Sequence, residues 1–496
     1  MNSSIKHVGQ KSMLLTIGNG GSRIINFIFA LAVGRLLGAE IYGEFSYLVS
    51  FISFFLSLSK LGLNNSALHF MPLYKDDQIK RHQISSLVLM IPVFTSIVII
   101  AFLLFFSESI SLHILNHPEY RTNFLLLVPS ILILGLQNDM LSLIRGSKRI
   151  KEQLYVKNLI VPISKLVLLL VFVMVFQIQN IYSLIIPYYI YTIGVLVFLF
   201  LRLKAYGILG PLSFSKAMAK RLLYFSMPLL FSGMVGLISG NIDKFMIGYY
   251  MNSSQVGIYR VARQFSDLTT IAYASLITAI PPVISELYHK NKLDELKELY
   301  ILSTKWVSVF NLLFFGIILL LAPDLMQMVG PEFVAGSSVL VIIGLGQIVN
   351  AMTGTADHIN IMTGHPRYSL YTKLVVMGSN IVLNGLLIPR YGIVGAAIAT
   401  MVAISLASIL NLLFLYHHMR VQPFTRQYLY ILASMLSSVI IVHLLMNRMD
   451  FYYLYRILLV SILYLFLYAF QIYITMVNQE EKNMMIGIWH KITKKG

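Results

Sequence analysis

The chain has 496 residues, of which 57% are hydrophobic and 12% charged, with a formal charge of +18 and no cysteine. Soluble domains carry about a quarter charged residues, so a chain of this composition cannot cover itself in water and belongs in a membrane. The missing cysteine excludes disulfides, thiolate metal sites and cysteine nucleophiles. The basic excess is what cytoplasmic loops of membrane proteins collect, and with no basic–aromatic module beside it no nucleic-acid partner is expected.

The N-terminus, MNSSIKHVGQK, is polar and runs straight into an apolar segment. No cleavable signal peptide is expected, and the first helix serves as its own insertion signal. Apolar runs of about 20 residues, enough to cross about 30 Å of hydrocarbon, fall at 12–34, 41–70, 84–106, 122–144, 154–176 and 181–203. After a basic stretch they resume at 222–249, 256–284, 302–322, 333–357, 368–389, 393–416, 427–446 and 453–477. The expected fold is all-α, a polytopic membrane protein with about fourteen spans. Lys and Arg crowd the loops on the N-terminal side, as in RGSKRIK (145–151), whereas the opposite loops hold Arg35, Arg121, Arg390, Arg448 and Arg456. The positive-inside rule then puts both termini in the cytoplasm.

One corner is written twice. GRLLGAEIYGEFSYL (34–48) and GYYMNSSQVGIYRVA (248–262) each carry two glycines nine apart, at an offset of 214 residues. RGSKR (145–149) and TGHPR (363–367) follow at an offset of 218, pairing Gly146 with Gly364 and Arg149 with Arg367. Helices one to six and seven to twelve therefore read as two parallel copies of one unit. The domains expected are an N-terminal lobe (1–203), a basic linker (204–221), a C-terminal lobe (222–416) and two extra helices with an amphipathic tail (417–496). The glycines of each corner are expected to form a tight outside turn.

GRLLGAEIYGEFSYLVSF with LSKLGLNNSALHFMP, then FSMPLLFSGMVGLISGNIDKFMIGYYMNSSQVGIYRVA, then NIVLNGLLIPRYGIVGAAIAT (380–400) resemble the polysaccharide-transporter family. These are the Wzx-type oligosaccharide-lipid flippases of the multidrug/oligosaccharidyl-lipid/polysaccharide exporter superfamily. The resemblance covers nearly the whole chain. It implies two six-helix lobes that alternate in access, often two further helices, and a substrate of sugars on a polyprenyl pyrophosphate. Membrane lipids and other polysaccharide-assembly proteins are the implied partners, with no cofactor.

Charges inside spans are costly and face a wet cavity or a partner. Arg23 follows GNGGS (18–22) halfway along the first helix, at a place comparable to a cavity arginine of the related peptidoglycan-precursor flippases. It reads as a pyrophosphate clamp, guanidinium offering forked donors to phosphate, or as a packing or ion-pair residue. Arg260 and Arg263 share a helix face; Asp267, four residues beyond, is the expected neutraliser of Arg263, which leaves Arg260 the better ligand. Lys60 lies near Asn64 and Asn65 and either meets a headgroup or snorkels; Lys165 reads as a snorkelling residue. Asp139, Asp243 and Asp357 are candidates for a coupling proton or sodium ion, although a membrane potential acting on an anionic substrate would also serve. DELKELYIL (294–302) and EKNMMIGIWHKITKK (481–495) read as surface-lying amphipathic helices.

No P-loop, HExxH or GxSxG motif occurs and the histidines form no ligand pattern, so no metal, ATP site or enzyme is expected. The longest outside loop (107–121) offers Glu108 and Glu119 without an organised set. The reading reached is a flippase moving a polyprenyl-pyrophosphate-linked oligosaccharide from the inner to the outer leaflet. A cation-coupled organic-cation antiporter of the same fold is the alternative, disfavoured by the basic balance inside the spans. A glycolipid polymerase or ligase comes third.

Overall fold

An unbroken helix of 54 residues would be about 80 Å long, more than twice the hydrocarbon core of a bilayer. Two stretches of this kind occur, Ser3–Ser59 and Pro366–Met419. Each carries a non-helical glycine inside it, Gly38 (φ 82°, ψ 174°) and Gly392 (φ 59°, ψ −139°). Each is two helices joined at a break, as the paired runs 12–34/41–70 and 368–389/393–416 predict.

The structure, a computed structural model, describes residues 3–149, 151–446 and 452–476. Among the described residues there is no strand, and ten helices are long and apolar enough to cross a membrane. The bent pair Pro118–Leu127 and Ser130–Gly146 makes an eleventh. The all-α, multi-pass class is as expected, and every expected run falls on helix. Some runs are broken within. Residues 41–70 part at Leu61 (φ 48°) and Gly62 (φ 71°), and 256–284 divide into Ser253–Leu268 and Ile271–His289. The segment 294–302 is not a separate surface helix. It forms the first turns of Leu293–Gln327, because its apolar stripe runs straight into the span and buries Leu296 and Tyr300. The amphipathic tail expected at 481–495 lies outside the described residues.

The chain forms two compact units that do not follow its order. The first comprises residues 1–264, 329–336 and 370–403, the second 265–328, 337–369 and 404–496. In the second, Gln427–Met446 and Tyr453–Met476 pack on Leu293–Gln327 around Phe315, Tyr464 and Tyr468. The Tyr464 and Tyr468 hydroxyls donate to the carbonyls of Leu312 (3.1 Å) and Val309 (3.0 Å), which satisfies two buried phenols in an otherwise apolar seam. In the first, Leu63, Phe70, Leu87, Leu143, Leu199 and Leu222 form the core, and the Ser66 hydroxyl closes it by donating to Leu222 O at 2.8 Å.

Also in the first unit, the repeated corners meet each other. The paired glycines do not make the turns: Gly34, Gly43, Gly248 and Gly257 are all helical, and the chain breaks instead at Gly38 and at Met251. What needs glycine is contact. A Cβ on Gly43 would fall 1.7 Å from Ser253 O, and one on Gly257 would fall 2.2 Å from Ala39 O. The second helix of copy one and the second helix of copy two thus cross backbone to backbone, each through its own corner glycine.

A further repeated pair braces this crossing. HPEY (117–120) and GPEF (330–333) stand at an offset of 213 residues, and each proline opens a 3-10 turn. The His117 ring Nε2 lies 2.9 Å from Gly248 O and 3.1 Å from Met251 O, at the end of Lys216–Tyr250. Ala39 N donates to Glu332 Oε1 at 2.7 Å, so that carboxylate caps the helix restarting after Gly38. The loop 107–121 is therefore organised, as a brace, with Glu119 held 2.8 Å from His117 and Glu108 3.4 Å from Arg121.

Alanine favours helix over glycine by about 1 kcal/mol, but overpacking costs about 1–3 kcal/mol. Gly43→Ala is therefore expected to lower the melting temperature of the detergent-purified protein. Gly233→Ala, whose Cβ would meet nothing within 4 Å, should hold or raise it. Thermal unfolding of the two variants side by side decides the point, and a Gly43→Ala protein as stable as wild type would contradict a tight crossing.

Candidate functional site

From the Gly43–Gly257 contact, one helical turn along each helix brings Ser46 and Arg260 together. The Arg260 guanidinium donates to the Ser46 hydroxyl and lies 4.6 Å from the centre of the Tyr42 ring. These equivalent positions of the two copies, which differ in sequence, face each other. Arg260 then enters the wall of a cavity of about 130 Å³ shared with Phe45, Val49, Lys165, Tyr188 and Tyr191. Among the described residues no carboxylate lines it. It is a two-cation pocket with aromatic walls, the room of about four waters.

Lys165 is the residue that sequence reasoning set aside. Its ammonium sits 4.3 Å from the centre of the Phe29 ring, inside the cavity. The span Lys151–Val175 places it there through a local irregularity, since Val161–Leu170 is flanked by π-helical turns at Val156–Ile160 and Val171–Val175. Such turns recur at functional sites. A signal was present: Lys165 lies about 20 Å along the helix from its start, beyond the reach of a snorkelling lysine.

Arg263, one turn on from Arg260, does something else. It forms an ion pair with Asp243, which is 1% exposed. The same carboxylate accepts from Tyr259 OH and Thr400 Oγ1, both at 2.9 Å, and from Asn384 Nδ2 at 3.1 Å. Asn384 is itself held by Asn380 at 3.1 Å. Four helical segments therefore meet on one charge. Arg23 is half-buried on the first helix, six residues before Phe29, and is not among the cavity's walls. Its helix is tied nearby, where Gln264 Nε2 donates to Asn26 O at 2.8 Å.

The remaining candidates are not among the residues that line the cavity. Lys60 stands at the break between the helix ending at Ser59 and Leu63–Leu73. Asp139 is fully buried on Ser130–Gly146, and neither of its oxygens has a hydrogen-bond partner among the described residues. Asp357 begins Ala356–Met362 in the second unit, with Oδ1 likewise without one. Among the described residues no group of three or more His, Asp or Glu side chains is placed to hold a metal ion.

Among known proteins, a family model described as polysaccharide biosynthesis protein matches residues 8–288, and the MatE model matches residues 228–386. The chain is similar to the probable flippase AglR of Haloferax volcanii, 29% identical over 175 residues, 34% of this chain and 36% of that protein. It is also similar to the probable low-salt glycan biosynthesis flippase Agl15 of the same organism, 26% identical over 195 residues, 39% of this chain and 41% of that protein. The matched stretches thus span well under half the length of these relatives. Among solved structures, the lipid II flippase MurJ in an inward closed conformation superposes with a TM-score of 0.73 at 19% identity, covering 94% of this chain and 100% of that one. At that identity the likeness is one of fold.

Removing one member of a buried ion pair strands the other charge, at a cost of about 3–5 kcal/mol. Arg263→Met is expected to destabilise the protein by about 3 kcal/mol, towards the low end of that range. Arg260→Met, whose partners are a hydroxyl and a ring face, should lose only about 1 kcal/mol. Adding Asp243→Asn to Arg263→Met should return part of the loss. Chemical or thermal unfolding of the variants measures this, and equal losses for the two arginines would contradict the assignment.

Proposed function

The chain belongs to the polysaccharide biosynthesis protein family, and we propose that it moves an anionic lipid-linked saccharide across the membrane by alternating access. The observation that carries this reading is the pairing of Arg260 with Lys165 in a cavity with no carboxylate among its described lining. Two cations in an apolar interior are tolerated where an anion is to be received. A guanidinium offers a planar fork to phosphate oxygens and an ammonium a mobile point charge, which suits a diphosphate. The cavity has room for such a headgroup and not for an oligosaccharide, so it is the charged seat of the substrate, with Tyr188 and Tyr191 beside it. Arg23, on the same helix as Phe29, and Lys60 take the roles of approach residues, and Arg263 that of a structural cation that keeps Asp243 closed to other partners.

Two similar proteins are named as probable flippases, one of them in glycan biosynthesis, which supports a glycan-bearing substrate; the polyprenyl pyrophosphate carrier is what the resemblance to oligosaccharide-lipid flippases implies. The direction of movement, from the cytoplasmic to the outer leaflet of the cell membrane, is what the resemblance to oligosaccharide-lipid flippases implies, and the distribution of Lys and Arg supports both termini in the cytoplasm. The protein is read as a transporter and not an enzyme. An organic-cation antiporter would need the opposite charge in this seat.

Arg260→Ala with Lys165→Ala is expected to abolish surface polysaccharide in cells that depend on this protein, while its abundance in the membrane stays within about twofold of wild type. Immunoblotting and extraction of surface glycan read both quantities together. Wild-type polymer in that double variant would overturn the cationic seat.

A further inference from the structure

Asp139 combines three properties. It is 0% exposed, both carboxylate oxygens lack hydrogen-bond partners among the described residues, and the charge that acts on it is that of Lys60. A buried carboxylate with no hydrogen bond is answered either by a nearby cation or by a proton. Lys60 is the cation, and it stands on a discontinuity: the helix from Gly38 ends at Ser59, Leu61 and Gly62 take positive φ, and helix restarts at Leu63.

The break is furnished with polar groups. Thr95 Oγ1 donates to the carbonyl of Ser59 at 2.5 Å, taking up an acceptor that the interrupted helix leaves over. One turn before Asp139, Gly135 leaves room where a Cβ would lie 3.7 Å from Ser96 Oγ and 3.9 Å from Ser59 Oγ. The buried Ser96 hydroxyl also lacks a partner among the described residues. A carboxylate, two hydroxyls and an ammonium thus gather where one helix is interrupted inside an apolar bundle.

The acid itself recurs in the repeat. Asp139 lies seven residues before Gly146 and Asp357 seven before Gly364, the glycine pair of the two copies. In the second copy a phenol, Tyr273, lies near Asp357, whereas in the first a lysine acts on the acid.

We propose that Asp139 is a proton-binding site that controls Lys60 at the break. With the carboxylate ionised, Lys60 is held as its counter-charge and the break is pinned. A proton taken from water onto an Asp139 oxygen neutralises the carboxylate; Lys60 keeps its own proton and its charge, and is released to face an anionic headgroup. The last step rests on the transport reading above, while the proton site itself does not.

Other titratable groups on the packed elements do not take this part. On Leu63–Leu73, His69 stacks on Phe225. Lys80, Arg81 and His82 occupy the first turns of Gln78–Phe105, away from Thr95 and Ser96. Tyr188, Tyr189 and Tyr191 on Tyr182–Ala205 bring phenols and no charge. Lys157 acts on Lys60, and Arg145 on Lys157, so the further charges in this chain of interactions are positive like that of the lysine.

Infrared difference spectroscopy of the purified full-length protein in liposomes tests this without any substrate. Titrating the pH should reveal a protonated-carboxyl band that Asp139→Asn abolishes and Asp357→Asn leaves in place. Lys60→Met, which keeps the acid and removes the cation, should move the titration of that band to higher pH by about one to three units. A carboxyl band that no Asp139 substitution alters, or one indifferent to Lys60→Met, would overturn the proposal. If Asp139→Asn fails to fold, the Lys60→Met shift still decides. In cells, Asp139→Asn, a permanently neutral side chain, should cut surface glycan at least tenfold at unchanged abundance. Loss of glycan in Arg260→Ala/Lys165→Ala without any Asp139 band would sink the proton site and spare the transport reading. The band without glycan dependence on Arg260 and Lys165 would do the reverse.

Discussion

Two helices crossing with no side chain between them is the constraint on which the first unit is built. Gly43 and Gly257 allow the backbone of each second helix to touch the other's corner. Contact this close fixes rotation as well as distance, because only one face of each helix is bare of Cβ atoms. With rotation fixed, the residues one turn along are also fixed. Ser46 meets Arg260, and Phe45 and Val49 join Arg260 in the cavity wall. The 3-10 turns after Pro118 and Pro331 then occupy the two flanks, one at the end of Lys216–Tyr250 and one at the helix start after Gly38. A substitution at either glycine would therefore act on the cavity through geometry, without touching it.

Buried charge is handled in three different ways around this frame, and the differences separate scaffold from function. Asp243 is saturated: one guanidinium and three hydrogen-bond donors converge on it. Such a carboxylate costs much to break and little to leave alone, which is the behaviour of a hub. Arg260 and Lys165 carry their charge into a cavity walled by rings and hydroxyls, with no carboxylate among its described lining. Asp139 is an acid on which the charge of one lysine acts, and among the described residues no hydrogen-bond donor holds either of its oxygens.

Helices were legible from the run lengths because burial in lipid demands about 20 apolar residues whatever the tertiary context. The duplicated corner was legible too, but its glycines were read as turn formers. Glycine spacing alone does not distinguish a positive φ from a close approach, and only Gly38, between the paired glycines, takes the turn conformation. Lys165 was misread because periodicity does not say which way a side chain points, and a lysine in a span snorkels or faces a cavity according to its neighbours. HPEY and GPEF carried their repeat openly at an offset of 213, yet their use, capping helix ends in the other copy, exists only after folding. Arg263 was paired by proximity with Asp267; its ion pair with Asp243, twenty residues back along the chain, is one that proximity in sequence could not offer.

The two copies agree in backbone devices and disagree in ionisable ones. Corner glycines, 3-10 turns and the acids at 139 and 357 recur at nearly constant offset. Arg260 stands where copy one has Ser46, and Lys60 acts on an acid whose counterpart has a tyrosine. Duplication alone would set like residues against like at the crossing. A charge placed in one copy against a hydroxyl in the other gives the crossing a cationic side without changing its packing, since Gly43 and Gly257 have already fixed the distance between the backbones. The charge at this crossing can therefore be changed by substitutions one turn away from a contact that must itself stay constant, which separates what holds the two copies together from what distinguishes them.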